Sequence, residues 1–249
     1  MNTEALQNLA KAIDCSAPLV VLTGAGISAE SGVRTFRDPD GYWARFDPAE
    51  LASPEGFRRD PELVWRWYDA RRRQLLQAQP NPGHRALVAL EALCADFTLI
   101  TQNVDGLHTA AGSQNVLEMH GSIWRLRCTR STREWVSRDV FESFPVHCQC
   151  GALLRPAVLW FGEMYHQGRL QRALEAMRKA QTVLVVGTSG MVGIVSGLLD
   201  QASRQARLVE FNPNPSHISA ACDTLIAGPA GESLPQLLQY IQSKTPRRP

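Results

Sequence analysis

An amide, a carboxylate and an imidazole crowd into one stretch, Phe97 to Ser122, FTLITQNVDGLHTAAGSQNVLEMHGS. Gln102, Asn103 and Asp105 follow one short apolar run, Phe97 to Thr101, and His120 follows a second, Val116 to Met119. An imidazole with an ordinary pKa of about 6.5 is largely free to accept a proton near neutrality, and the amides and carboxylate can hold a polar ligand beside it. If both runs are parallel strands joined by a short crossover, Gly106 to Gly112, both polar clusters emerge at one sheet edge, where open α/β sheets bind ligands. A histidine alone at a strand end is most often structural; beside Asn103 and Asp105, His120 reads as catalytic.

The elements that would position these groups alternate along the chain. Leu19 to Thr23 has the composition of a buried strand, and Gly24-Ala25-Gly26-Ile27-Ser28-Ala29 fits the G-x-G-x-x-G/A turn that leaves backbone N–H groups free for a pyrophosphate. Taken alone it is equally a tight strand-to-helix turn. A dehydrogenase would continue to a second strand ending in an acid, whereas here Arg34 to Trp43 is a turn-rich aromatic loop suited to covering a cofactor. Asp47 to Gln79 is a helical insertion whose start signal is Asp60-Pro61-Glu62, followed by a helix from His84 to Cys94. His84 reads as helix-start structure and His108 as a loop hydrogen-bonder. A second insertion, Ile123 to Pro156, carries Cys128, Ser131, His147, Cys148 and Cys150. The main sheet is expected to resume with Ala157 to Phe161, Thr182 to Gly187, Arg207 to Phe211 and Thr224 to Ala227, with helices Gly168 to Ala180, Gly193 to Ser203 and Leu234 to Ser243 between or after them. This order predicts an α/β fold with a Rossmann-like doubly wound parallel sheet. Gly187-Thr188-Ser189 and Asn212 end two of its strands and would line the crevice with Gly24 to Ser28.

A chain of 249 residues, 44% hydrophobic and 20% charged, is long enough for one large core with insertions. The net charge is only +2, and all but three of the 26 basic residues are arginines scattered along the chain, which argues against a nucleic-acid surface. Six unevenly spaced cysteines, an amphipathic rather than leader-like N-terminus and the lack of an apolar run of about 20 residues predict a cytoplasmic protein without a membrane anchor.

GAGISAESGV, TFR, GYW, TQNVDGLH, EMHGS, LRP, WFGE, VGTS and EFN occur in the order and spacing of the sirtuin family, NAD-dependent protein lysine deacylases, and the resemblance runs from Val20 to Pro235. It implies a Rossmann-like domain from 1–35, 80–122 and 157–249, and a small domain from 36–79, the cofactor loop with the helical module, and 123–156, a zinc-ribbon-like module. NAD and an acylated lysine of another protein would meet between them, releasing nicotinamide and an O-acyl-ADP-ribose. By position, Gly24, Ala25, Gly26 and Ser28 resemble the pyrophosphate turn, and Phe36, Arg37 and Tyr42 the cofactor loop. Gln102, Asn103 and Asp105 resemble the ribose and nicotinamide pocket, and Gly187, Thr188, Ser189, Asn212 and Ala230 the adenosine side. His120 resembles the general base. Phe161 and Gly162, with Glu163, resemble the strand end that pairs with substrate backbone. A mono-ADP-ribosyltransferase would use the same NAD contacts and is distinguished by its products; a non-catalytic NAD-sensing module would release no nicotinamide.

Two departures from the family pattern carry chemistry. Arg34 stands where a proline is usual and Asp38-Pro39-Asp40 replaces a Gly-rich stretch. The two C-x-x-C zinc pairs become Cys128-x-x-Ser131 and His147-Cys148-x-Cys150, so Cys128 and Cys150 keep ligand places and His147 or Cys148 is offered as a third. An incomplete site, with less than one zinc per chain, is expected. In the helix from Pro61, the residues Val64, Trp67, Tyr68, Arg71 and Leu75 share one face, so Arg71 interrupts an apolar stripe while Arg73 points the other way. An inward charge requires a partner, either an internal carboxylate such as Glu55 or Asp69 or one brought by the substrate. Tyr68-x-x-Arg71 resembles the pair of the succinyl- and malonyl-preferring sirtuins.

Overall fold

The structure, a computed structural model, describes residues 3–34, 48–191 and 194–244. In chain order the elements are α1 (Thr3–Ala12), β1 (Leu19–Thr23), α2 (Gly26–Ala29), α3 (Pro48–Leu51), α4 (Pro54–Arg59), α5 (Pro61–Gln77), α6 (Pro82–Leu93), β2 (Phe97–Thr101), α7 (Leu107–Ala111), β3 (Val116–Glu118), β4 (Gly121–Cys128), β5 (Glu134–Val136), β6 (Leu154–Val158), α8 (Gln167–Lys179), β7 (Thr182–Val186), α9 (Ile194–Leu199), β8 (Arg207–Asn212), β9 (Thr224–Ala227) and α10 (Ala230–Lys244). Six strands form a parallel sheet in the order β3-β2-β1-β7-β8-β9. From β1 the chain winds outward through β2 and β3, then returns to β7 on the other side of β1. The strand order therefore reverses between β1 and β7, which puts a crevice at their carboxyl ends.

Alternating side chains of the central strands feed two cores. Leu19, Val21 and Leu99 pack with α1, α6 and α10, while Val20, Leu22 and Ile100 pack with α8 and α9. Burial on both faces explains why these strands read as unbroken apolar runs. Among the described residues, no helix is long and apolar enough to cross a membrane.

The second insertion folds as a three-stranded antiparallel sheet, β5-β4-β6, which shares a third core with α5 built around Trp65, Trp67, Tyr68, Trp124 and Trp160. Here the expectation that Ala157 to Phe161 rejoins the main sheet is corrected. The strand is β6, and it pairs with β4 in this smaller sheet. An apolar run has the same composition in either sheet; the nearby partner β4 decides. The α5 stripe is buried as expected, but so is Arg72, 1% exposed, which donates to the carbonyls of Ile123 (2.6 Å), Ser137 (3.1 Å) and Asp139 (2.8 Å) and so ties α5 to the small sheet. Periodicity missed it because its partners are backbone groups distant in sequence.

Asp60 caps α5, accepting from the Leu63 N–H at 2.9 Å, as its start signal predicts. Two local readings change. α10 begins at Ala230 rather than Leu234 and carries Pro235 inside, because the Glu30 carboxylate satisfies the Gly231 N–H at 2.8 Å and so supports an extra turn. His108 lies in α7 and is buried, not in an open loop.

Candidate active site

The crevice is closed at its base by contact between two glycine turns. Gly26 N–H donates to the Gly187 carbonyl at 2.7 Å, and a Cβ on Gly24 or Gly26 would come within 2.8 Å of Thr188 or Gly187 atoms. Glycine is required here by strand-to-strand approach. Gly187 itself has φ +59, and its own Cβ would meet the Ile27 nitrogen at 2.4 Å.

The polar residues after β2 are locked to this turn. Asn103 Nδ2 donates to the Gly24 carbonyl at 3.0 Å and to Ser28 Oγ at 3.2 Å, and Ser28 Oγ donates to Asp105 Oδ2 at 2.8 Å. Gln102 Nε2 donates to Thr188 Oγ1 at 3.0 Å, and Asn212 Nδ2 to the Thr188 carbonyl at 2.7 Å. Gly24, Ala25, Gly26, Ser28, Gln102, Asn103, Asp105, Gly187, Thr188, Ser189 and Asn212 thus gather at the carboxyl ends of β1, β2, β7 and β8, with Ala230 buried at the start of α10. Burial raises the Asp105 carboxyl, opposed by the Leu107 N–H, the Ser28 hydroxyl and the charge of Arg71. Phe36, Arg37 and Tyr42, together with Asp38-Pro39-Asp40, lie outside the described residues.

His120 stands at the same edge, just after β3. Its Nδ1 is 2.9 Å from the Gln102 carbonyl, which can only accept, so Nδ1 carries the proton and Nε2 presents its lone pair. Burial lowers the His120 pKa, with the Gln102 bond partly opposing, which keeps the ring neutral.

The segment after β6 meets α5. Trp160 Nε1 donates to the Tyr68 hydroxyl at 2.8 Å, and the Phe161 N–H donates to the Ala52 carbonyl at 2.8 Å. Phe161 is exposed, Gly162 has φ +83, and Glu163 is held by Arg155 at 2.6 Å. Arg71 is 8% exposed, its guanidinium carbon 4.6 Å from the Trp67 ring and 5.9 Å from the Tyr68 ring. Asp69 is paired with Arg73 at 2.6 Å and Glu55 with Arg58 at 2.6 Å, while the charge of Arg71 bears on Tyr68 and Asp105.

In the small sheet the sulfurs of Cys128, Cys148 and Cys150 lie within 4.8 Å of one another. Cys148, not His147, is therefore the third group; His147 makes a backbone bridge to Leu153. The Ser131 hydroxyl and neighbouring backbone amides bond to the Cys128 sulfur and draw its pKa down to about 6. Three thiols fit a zinc ion with three of its usual four structural ligands, and Ser131 stands in place of the fourth. Purified protein is expected to carry less than one zinc per chain, and its activity to survive a strong chelator. A full equivalent retained by elemental analysis would show that three thiolates suffice.

Residues 24–193 match the Sir2 family. NAD-dependent protein deacylase 2 of Pyrobaculum aerophilum is 47% identical over 240 residues, covering 95% of this chain and 96% of that protein. The NAD-dependent protein deacylase of Aquifex aeolicus is 45% identical over 229 residues, covering 91% and 96%. The solved structure of a Sir2 homologue–NAD complex superposes with a TM-score of 0.89 at 40% identity, covering 98% of this chain and 95% of that one.

Proposed function

The chain belongs to the Sir2 family and is an NAD-dependent protein deacylase, and from that premise we propose that it removes succinyl and malonyl groups from lysine in preference to acetyl. The observation that carries the preference is the Tyr68–Arg71 pair. The Tyr68 hydroxyl accepts from Trp160, the residue immediately before the exposed Phe161 and Gly162, which offer a backbone edge to a substrate peptide. Since that hydroxyl accepts from the indole, its own proton remains to donate to a carboxylate. One helical turn on, Arg71 brings a guanidinium that can hold both oxygens of the same carboxylate.

NAD, consumed as co-substrate, supplies the ribose carbon to which the acyl-lysine oxygen is transferred as nicotinamide leaves. The residues of the chain divide the remaining work. Gly24, Ala25, Gly26 and Ser28 receive the pyrophosphate at the β1–β7 switch point, and Gly187, Thr188, Ser189, Asn212 and Ala230 border the adenosine. Gln102, Asn103 and Asp105 hold the ribose and nicotinamide. His120 Nε2 takes a proton from a ribose hydroxyl. By their resemblance to the family's cofactor loop, Phe36, Arg37 and Tyr42 are assigned the exclusion of water. The lobe that carries α5 and the β5-β4-β6 sheet, with β6 running to Val158, is read as the small domain facing the NAD-binding domain across this cleft.

Steady-state assay of acetyl-, succinyl- and malonyl-lysine forms of one peptide with NAD tests the reading. Higher kcat/KM for the two dicarboxylic acyl groups is expected. A preference for acetyl-lysine would refute it.

A further inference from the structure

Two imidazoles buried behind the cleft take no part in the chemistry assigned above. His84, in the first turn of α6, and His108, in α7, are 0% and 2% exposed, with ring centroids 4.8 Å apart. Each has one nitrogen engaged. The Asn81 N–H donates to His84 Nδ1 at 3.3 Å, closing a capping box, and His108 Nε2 lies 2.9 Å from the Thr23 hydroxyl. The other two nitrogens, His84 Nε2 and His108 Nδ1, are buried and have no hydrogen-bond partner among the described residues. Buried polar atoms are paired as a rule, and leaving one unpaired costs about 1–3 kcal/mol. Two such atoms on adjacent rings can satisfy each other.

The cap determines where the protons are. Because His84 Nδ1 accepts, the neutral ring carries its proton on Nε2 and can only donate there. If His84 donates to it, His108 accepts at Nδ1, and its own proton is then on Nε2 and goes to Thr23. The Thr23 hydroxyl donates in turn to Thr101 Oγ1 at 2.8 Å, which also accepts the Asn103 N–H at 3.1 Å. The opposite polarity would set two N–H groups against each other. Both rings are kept neutral: burial, with a smaller contribution from Arg85, lowers His84 to about 4, and burial, with His84 adding to it, lowers His108 to about 3. Asn81, where the chain begins, also donates through Nδ2 to the Ile27 carbonyl at 2.6 Å and to Ser31 Oγ at 3.1 Å, so it grips α2 as well.

We propose that His84 and His108 are positioning residues: a small closure of their adjacent rings lets His84 Nε2–H donate to His108 Nδ1, and the links then run from Asn81 through Thr23 to the Thr101 hydroxyl oxygen, which also receives the Asn103 N–H. The chain couples the helix after the pyrophosphate turn to the amide on the nicotinamide side, so that both walls of the cleft keep one spacing. Its functional half rests on the reading of Asn103 as an NAD contact.

Long-range proton–nitrogen correlation spectra of the full chain carrying 15N-histidine, at neutral pH, read each tautomer directly, with His84→Asn and His108→Gln assigning the signals. Both rings are expected as neutral Nε2–H tautomers, and His84→Asn should shift the His108 Nδ1 resonance. An Nδ1–H tautomer or an imidazolium at either position overturns the chain. In steady state, His108→Leu is expected to lower kcat/KM for NAD by roughly 10- to 100-fold, mainly through KM, the scale of a small misplacement at a site. His108→Gln, whose amide can accept from His84 and donate to Thr23, should recover most of the loss. Equal losses in the two variants would overturn the positioning role. Asn103→Ala with an unchanged KM for NAD would instead overturn the pocket reading, and the functional half of the proposal with it.

Discussion

His120→Ala is expected to lower deacylation by roughly 10²- to 10⁴-fold, the usual contribution of a positioned general base, while NAD still binds. The expectation rests on how the ring is held. The Gln102 carbonyl accepts a hydrogen bond from Nδ1–H at 2.9 Å and leaves Nε2 as the only basic atom of the ring, at the sheet edge where Asn103 and Asp105 also stand. Alanine removes that lone pair without disturbing the contacts of Gly24, Asn103 or Thr188, which do not involve His120. The pH profile provides a second readout. A base works only when unprotonated, and burial depresses the His120 pKa below its ordinary value of 6.5. The wild-type rate should therefore persist as pH falls to that value and decline only as pH drops through the lowered pKa. The residual rate of the variant should lack this acid limb. Nicotinamide release followed across the acid range measures both, and wild-type turnover in the variant would remove His120 from the mechanism.

Arg71→Met should abolish most of the preference for dicarboxylic acyl groups, a loss of about 2 to 5 kcal/mol in relative kcat/KM, the usual cost of unpairing a buried charge. Methionine keeps much of the length and apolar stem of arginine and can set its sulfur against the Trp67 ring in place of the guanidinium, while the charge is lost. Deacetylation uses no carboxylate and should change far less. The comparison needs all three peptides on both proteins. Equal losses on acetyl- and succinyl-lysine would make Arg71 a structural residue, and a wild-type preference for acetyl would remove the premise.

Much of the arrangement was legible in one dimension because short-range rules govern it. The buried strands Leu19–Thr23 and Phe97–Thr101 are continuous apolar runs, which sheets covered on both faces impose, and the Asp60 cap and the period of α5 are properties of a single helix. The clustering of Asn103, Asp105 and His120 at one edge followed from parallel strands, since consecutive parallel strands end on the same side. Other features depend on partners that no local pattern names. Whether Ala157 joined the large or the small sheet was decided by β4, and the start of α10 by the Glu30 carboxylate. Arg72, Cys148 and the buried His84–His108 pair belong to the same class. Spacing along the chain determines which side chains share a face; a buried charge, a third sulfur or an unsatisfied nitrogen acquires its meaning from groups brought beside it when the insertions close over the sheet.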